Sequence, residues 1–246
     1  TSTVQAADRF GVPVTIKTRI GIDDEHLTFL DMGRIAEDCG VAAICLHART
    51  VAQAYSGRAD WEAISQLVQA VDIPVLGNGD IWEAEDAIAM IDQTGCAGVE
   101  VGRGCLGRPW LFRDLAAAIG GQDQTVLPSL GEVCQIVRRH AELLARLWGE
   151  DHGMKDLRKH MAWYFKGFPV GGELRHTLGM VGSLAELDLL LAQLDPQIPY
   201  PVGELGRPRG RQGSPRKKVT MPWGWLEDRC GLELDLSEAE VDTSGG

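Results

Sequence analysis

One pattern limits what this chain can become. Between residues 13 and 104 a short apolar, β-rich run is followed by a longer stretch with helical spacing and then by a glycine, and the order repeats. The runs fall at 14–20, 42–47, 74–78 and 98–102. Each is almost continuously apolar, as strands covered on both faces are. In the first intervening segment, 26–39, Leu27, Leu30, Ile35 and Ala36 recur at helical spacing behind the acids Asp23 and Asp24, and Gly40 supplies a C-terminal cap. Asp60 is placed to cap a second helix running to 71. Asp80 followed by Glu83 matches a capping box opening a third, which ends at Gly95. Residues before 13 read as the end of a helix leading into the first strand. Strand, helix and glycine in this order are βα units building a parallel sheet.

After Pro109 the pattern holds only helices, expected at 110–119, 130–148, 155–168 and 184–194 with short Gly- or Pro-containing turns between them. From 196 onward proline, glycine and charge dominate, which predicts an extended or disordered tail with one anchored spot at Trp223, Trp225 and Leu226. The expected division is 1–120 for the α/β part, 121–195 for an all-helical domain and 196–246 for the tail.

With 246 residues, 44% of them hydrophobic, the chain has material for a substantial core. A formal charge of -11 argues against a protein that coats nucleic acid without selectivity. The basic residues are nevertheless grouped, at Arg138, Arg139, Arg146, Lys155, Arg158, Lys159, Lys166 and Arg175 and again over 207–218, so a basic face on an acidic protein is expected. The six cysteines form no Cys-x-x-Cys pair and no zinc-like Cys/His set, which points to a reducing cytoplasm and no metal. No apolar stretch approaches the roughly 20 residues that span a bilayer. The first residues lack the basic-then-apolar pattern of a secretory leader.

In a parallel α/β sheet or barrel the ligand site lies at the C-terminal ends of the strands. Those ends carry Lys17, Arg19 and Gly21; His47 and Arg49; Asn78, Gly79 and Asp80; and Gly102, Arg103 and Gly104. The last two turns, Gly77-Asn78-Gly79-Asp80 and Gly102-Arg103-Gly104, combine flexible backbone amides with a guanidinium, the chemistry a phosphate needs. The competing reading is that the glycines only make tight turns and Arg103 pairs with an acid. Lys17 lies within an apolar strand, where an ammonium is costly unless it faces a polar ligand or a counter-charge. The polar edge of a flavin would satisfy it, and so would a carboxylate from a neighbouring strand. His47 and Arg49 alternate at a strand end and so point the same way. Cys45, within a strand, and Cys105, in a helix-entry turn, read as buried and inert.

These residues belong to an ordered set: Pro13-Val14-Thr15-Ile16-Lys17-Thr18-Arg19-Ile20-Gly21, His47-Ala48-Arg49-Thr50, Tyr55-Ser56-Gly57-Arg58-Ala59-Asp60-Trp61, Asn78-Gly79-Asp80-Ile81, Gly102-Arg103-Gly104 running into Gly107-Arg108-Pro109-Trp110, and Arg158-Lys159-His160-Met161-Ala162-Trp163-Tyr164. The set resembles the bacterial tRNA-dihydrouridine synthases over nearly everything before the tail. The resemblance implies the last four βα units of a (β/α)8 barrel, followed by a helical domain that grips tRNA. It implies FMN as cofactor, NADPH as the reductant, and reduction of uridine to 5,6-dihydrouridine. Carried over by motif, Lys17 and His47 meet the flavin ring, and Asn78, Gly79, Asp80, Gly102 and Arg103 hold the ribityl-phosphate end. Arg49, Arg158, Lys159 and His160 face the RNA, although a charge run on a helix is also what a plain solvated face looks like.

The family's acid catalyst is a cysteine in the first half of the barrel, and no counterpart is found here, so no catalytic residue is assigned in this chain. A complete barrel takes about 250 residues, and only four βα units precede the helices, so the chain would open at the fifth strand of eight. A half-barrel leaves sheet edges unpaired, which predicts self-association, and without the cysteine-bearing half the chain alone is expected to be inactive. The alternatives are another FMN-dependent barrel oxidoreductase of the dihydropyrimidine or dihydroorotate type, and a non-catalytic RNA-binding remnant.

Overall fold

The computed structural model describes residues 1–211 together with 213, 215, 216, 218 and 219. The spot expected at Trp223, Trp225 and Leu226 lies outside them. Helix α1 (Ser2–Asp8) leads into strand β1 (Thr15–Arg19), then α2 (Phe29–Asp38), β2 (Ala43–His47), α3 (Trp61–Ala70), β3 (Val75–Asn78), α4 (Ala84–Thr94) and β4 (Gly98–Glu100). The four strands form one parallel sheet in the order β1-β2-β3-β4. Each strand thus joins its neighbour through a helix, and the alternation read from the sequence is the architecture.

Burial separates the inner strands from the outer ones. Ile44 and Leu46 of β2 are fully buried and Val75 of β3 nearly so, whereas no residue of β1 or β4 is buried. The expectation of strands covered on both faces therefore fits only the central pair. Ile64 and Leu67 of α3 complete the core of this layer.

Two helix starts differ from expectation for local reasons. Helix α2 begins at Phe29 rather than near 26, because the Asp23 side chain accepts from the amides of Glu25 and His26 and a bridge between Gly21 and Leu27 keeps the chain extended. Asp60 caps α3 as expected, accepting from the Glu62 amide. The Asp80–Glu83 capping box does not form. Asp80 sits in the left-handed region at φ 57°, and Asp86, inside the helix, accepts from the amides of Trp82 and Glu83.

After β4 come a 3-10 turn (Arg103–Cys105), α5 (Leu111–Ile119), α6 (Leu130–Trp148), α7 (Glu150–Tyr164), α8 (Gly172–Leu178), α9 (Leu184–Leu191) and a second 3-10 turn (Val202–Glu204). A capping box of Ser129 and Glu132 opens α6, whose buried stripe of Leu130, Val133, Val137 and Ala141 packs with Met154, Leu157 and Met161 of α7. Helix α7 runs five residues ahead of the expected start, because Gly149 at φ 81° turns the chain and Glu150 and Asp151 favour a helix N-terminus.

The chain divides into two compact units. Among the described residues one holds Thr1–Gly79 and Gln93–Glu100, and the other holds Asp80–Asp92 and Val101–Gly210. This departs from the expected boundaries at 120 and 195: residues 80–92 and 101–120 group with the later helices. So do 196–210, expected as tail. Tyr200 is buried against Trp110 and Phe168, Ile198 packs on the same core, and the carbonyls of Pro196 and Ile198 accept from Gly131 and Leu130. Arg209, also buried, donates to the carbonyls of Leu106 and Trp163. A proline- and charge-rich composition was overruled by two aromatic and aliphatic anchors.

Candidate functional site

Parallel register fixes which residues meet at the strand tips. Arg19, His47, Asn78 and Glu100 are direct partners from β1 to β4, and one step back Lys17 lies beside Cys45. Residues two apart on a strand share a face, so all six point to one side of the sheet. Lys17 is the hub of that side. Its Nζ donates to Glu100 Oε1 at 2.6 Å, to Asn78 Oδ1 at 3.2 Å and to Cys45 Sγ at 3.7 Å, while Asn78 Nδ2 donates to the Glu100 carbonyl at 2.7 Å. All four strands contribute one member.

The environment sets the charges. Burial pushes the Cys45 thiol up to about 12, helped by the Glu100 carboxylate and only partly offset by Lys17, so Cys45 stays protonated at neutral pH. Burial works to raise the Glu100 carboxyl, but the Cys45 hydrogen bond and the Lys17 ammonium outweigh it, and the group lies below its ordinary range. Site residue Glu100 was missed in the sequence. The signal was an acid within the apolar run 98–102, as costly there as Lys17 in its own strand; two such charges of opposite sign had reason to be paired.

Beside the hub an open cleft of about 340 Å³ is lined by Lys17, Thr18, Arg19, Gly21, His47 and Val51 among others, a size at the lower end of small-molecule sites. His47 is buried. Gly79 follows Asn78 at φ 133°, and its carbonyl accepts from Trp61 Nε1 at 3.0 Å; a Cβ there would stand 2.7 Å from that of Ala59. Lys17, His47 and Asn78 are therefore gathered in the sheet unit as expected, with Gly79 next to them. The carboxylate reading of Lys17 also holds, with the acid coming from the far strand rather than an adjacent one.

Arg49 does not join them. Its side chain is 1% exposed, and Nε and Nη2 donate to the carbonyls of Ser56 and Gly57 at 3.2 and 2.8 Å. The guanidinium fork clamps the loop after β2, and any RNA contact by Arg49 would have to be made from this buried position.

Asp80, Gly102 and Arg103 belong to the second unit. Arg103 Nη2 lies 3.5 Å from Asp80 Oδ1, and its guanidinium carbon stands 5.1 Å from the Trp82 ring centroid. Its charge is thus balanced by a carboxylate, and its plane rests on an aromatic face. Gly104 closes the turn so tightly that a Cβ would lie 2.2 Å from the Ile81 carbonyl oxygen. Glu83, freed from capping, forms a two-pronged pair with buried Arg108 at 2.5 and 2.6 Å.

The helical residues expected to face RNA do not form one face. Successive residues on an α-helix point 100° apart, and here each meets a different partner. Arg158 Nε donates to the Val181 carbonyl at 2.8 Å, Lys159 pairs with Asp156 at 2.6 Å, and His160 packs edge-on to His140, ring centroids 4.9 Å apart. Burial, then the neighbouring His140, lowers His160 to about 4, which leaves it uncharged at neutral pH. Within the wider basic grouping Arg138 pairs with Asp188, Arg139 with Glu142, Lys155 with Asp151 and Lys166 with Glu204, while Arg175 donates to the carbonyls of Phe165 and Phe168.

Among the described residues no three or more His, Cys, Asp and Glu side chains are placed to hold a metal ion, and no helix is long and apolar enough to cross a membrane.

A parallel βα sheet with polar side chains converging at its strand tips defines an α/β protein whose ligand chemistry lies at the carboxyl ends of the strands. The family model described as "Dihydrouridine synthase (Dus)" matches residues 1–197, and the chain belongs to that family. It is 57% identical over 99% of its length to a probable tRNA-dihydrouridine synthase of Mycobacterium leprae, covering 63% of that protein. It is 58% identical over 92% of its length to one of Mycobacterium tuberculosis, covering 58% of that protein. A third, from Rhodobacter capsulatus, is 40% identical over 71% of this chain and 54% of its own length. The chain thus spans less than two thirds of the curated relatives it matches. Among solved structures, a mandelate oxidase mutant with a monooxide FMN adduct covers 76% of this chain and 71% of its own at 20% identity and a TM-score of 0.33, too distant to bear on the site.

Proposed function

We propose that this chain is the flavin- and tRNA-handling part of a cytoplasmic tRNA-dihydrouridine synthase, which reduces uridine in tRNA with FMN as cofactor and NADPH as reductant. The observation that carries the reading is the convergence of Lys17, Asn78 and His47 on one face of the sheet beside the cleft. An ammonium, a carboxamide and an imidazole on one face suit the polar edge of a planar heterocycle. FMN, when bound, supplies the hydride that the uracil ring receives. Within the chain, Lys17 donates a hydrogen bond to the ring edge, Asn78 orients Lys17, and His47 borders the cleft. The phosphate role proposed for Gly102 and Arg103 rests on the family motif, and within their own unit the Arg103 guanidinium is shared with Asp80. Cys45, held protonated and away from solvent, is not assigned as proton donor.

The outer edges of β1 and β4 carry no strand partner among the described residues, a geometry that favours self-association. Size-exclusion chromatography is expected to show oligomers of the 246-residue chain.

The test is fluorescence titration of FMN into the purified chain. Binding is expected for the wild type, and Lys17→Met is expected to weaken it at least about tenfold, the scale of one charge-assisted hydrogen bond. A wild-type chain without affinity for FMN overturns the reading; a chain that binds FMN but shows no salt-dependent tRNA binding overturns its tRNA-handling part.

A further inference from the structure

The Lys17–Glu100 pair is too open to be explained by stability. The two side chains are 35% and 39% exposed, and pairs of this kind are worth about 0–1 kcal/mol. Yet it joins the two outer strands of the sheet, with Asn78 linking the pair twice: its Oδ1 accepts from Lys17, and its Nδ2 donates to the Glu100 main chain. Lys17 has three N–H bonds, and three acceptors from three strands already receive them. A ligand acceptor that comes to Lys17 must therefore take a hydrogen bond from one of these, and the long contact to Cys45 Sγ is the cheapest to give up. The Glu100 contact is the shortest of the three, so the carboxylate stays.

We propose that Glu100 is a positioning residue for Lys17: it fixes the ammonium at the strand tips and cancels most of its charge, so that a bound flavin receives a directed hydrogen bond with little net positive field. The proposal rests on the reading of the cleft as a flavin site. Removing the carboxylate charge while keeping its shape unmasks the cation, which favours an electron-rich ring over a neutral one.

Two measurements separate the proposal from the reading beneath it. In the ligand-free chain, the rate at which an amine-acylating reagent labels Lys17, followed by mass spectrometry with Lys159 as internal reference, is expected to rise severalfold in Glu100→Gln and to stay near wild type in Glu100→Asp, which keeps the charge. With FMN bound, Glu100→Gln is expected to shift the flavin midpoint potential positive, equivalent to about tenfold tighter relative binding of the reduced cofactor, a common size for coupling between neighbouring sites. Unchanged labelling in Glu100→Gln overturns the positioning role. Faster labelling with an unmoved potential overturns the tuning of the flavin. Faster labelling in a chain that binds no FMN even as wild type supports the positioning of Lys17 and overturns the flavin reading. If Glu100→Gln does not fold, Glu100→Met and Glu100→Asp carry the same comparison.

Discussion

Lys17 on the sheet and Lys159 on α7 are both cations in family motifs, and they end in opposite situations. Lys17 is met by side chains 28, 61 and 83 positions away along the chain. Lys159 is met by Asp156, three positions away on its own helix. A parallel sheet in register collects distant residues into one row, whereas a helix spreads neighbouring residues around its axis. The contrast teaches that a cluster in sequence is a poor guide to a cluster in space on a helix, and that strand tips far apart in sequence are a good one. The sheet gathers distant residues on one face, whereas Arg139, Lys155 and Lys159 each meet a carboxylate three or four positions away on their own helix.

The sharpest break of this contrast would come from the buried pair of the helical unit. Arg108→Met leaves Glu83 without its cation in a site where Arg108 is 1% exposed, and a loss of about 3–5 kcal/mol is expected by chemical denaturation; a loss under 1 kcal/mol would mean that water reaches the pair and that charge in this unit is not structural. Next in size is Arg49→Ala. Freed of the clamp on Ser56 and Gly57, the chain should lose roughly 2 kcal/mol, with hydrogen exchange rising over residues 50–58. An Arg49 substitution that leaves stability intact but weakens tRNA binding would return Arg49 to the ligand class.

Acid should reveal a smaller effect. His160 is lowered from 6.5 to about 4, and His140 is lowered as well, first by its burial. As pH falls from 6.5 towards 4 the unfolded chain takes up protons that the folded helices refuse, so stability present above 6.5 drains away across that window. Asp156 eases the protonation and Lys159 opposes it. In His160→Phe the slope of stability against pH over the window should flatten, read from thermal melts at successive pH values; an unchanged slope would show that His160 titrates normally. Smallest of all, Lys159→Ala should move unfolding by less than about 0.5 kcal/mol, as exposed pairs three apart on a helix do. A larger loss would make α7 more like the sheet than its geometry suggests.

The same contrast explains what could be read in advance. The four strands, the Asp60 cap and the span 130–148 follow from periodicity and glycine punctuation, which act locally. Lys17 was recognisable because an ammonium in an apolar run demands a partner; which partner, flavin edge or carboxylate, depends on a register that joins residues 17 and 100. Glu83 is the converse case. Three residues after Asp80 it fits a capping motif, but a buried guanidinium 25 positions later binds it more strongly than a helix end does. Residues 196–210 misled because composition averages over a segment, whereas burial is decided by a few side chains such as Ile198 and Tyr200. The roles of Arg49 and His160 could not be read locally, since each is fixed by who surrounds it.

Gly104 bears on how variation in this protein should be interpreted. Any side chain at that position meets the oxygen of Ile81 well inside van der Waals contact. A saturation library screened only for soluble expression would return glycine there as strictly as one screened for the proposed activity. Invariance at 104 would therefore say nothing about ligands, and a map of tolerated substitutions will point to the reaction only where the two screens disagree, with 17 and 100 the first positions to compare.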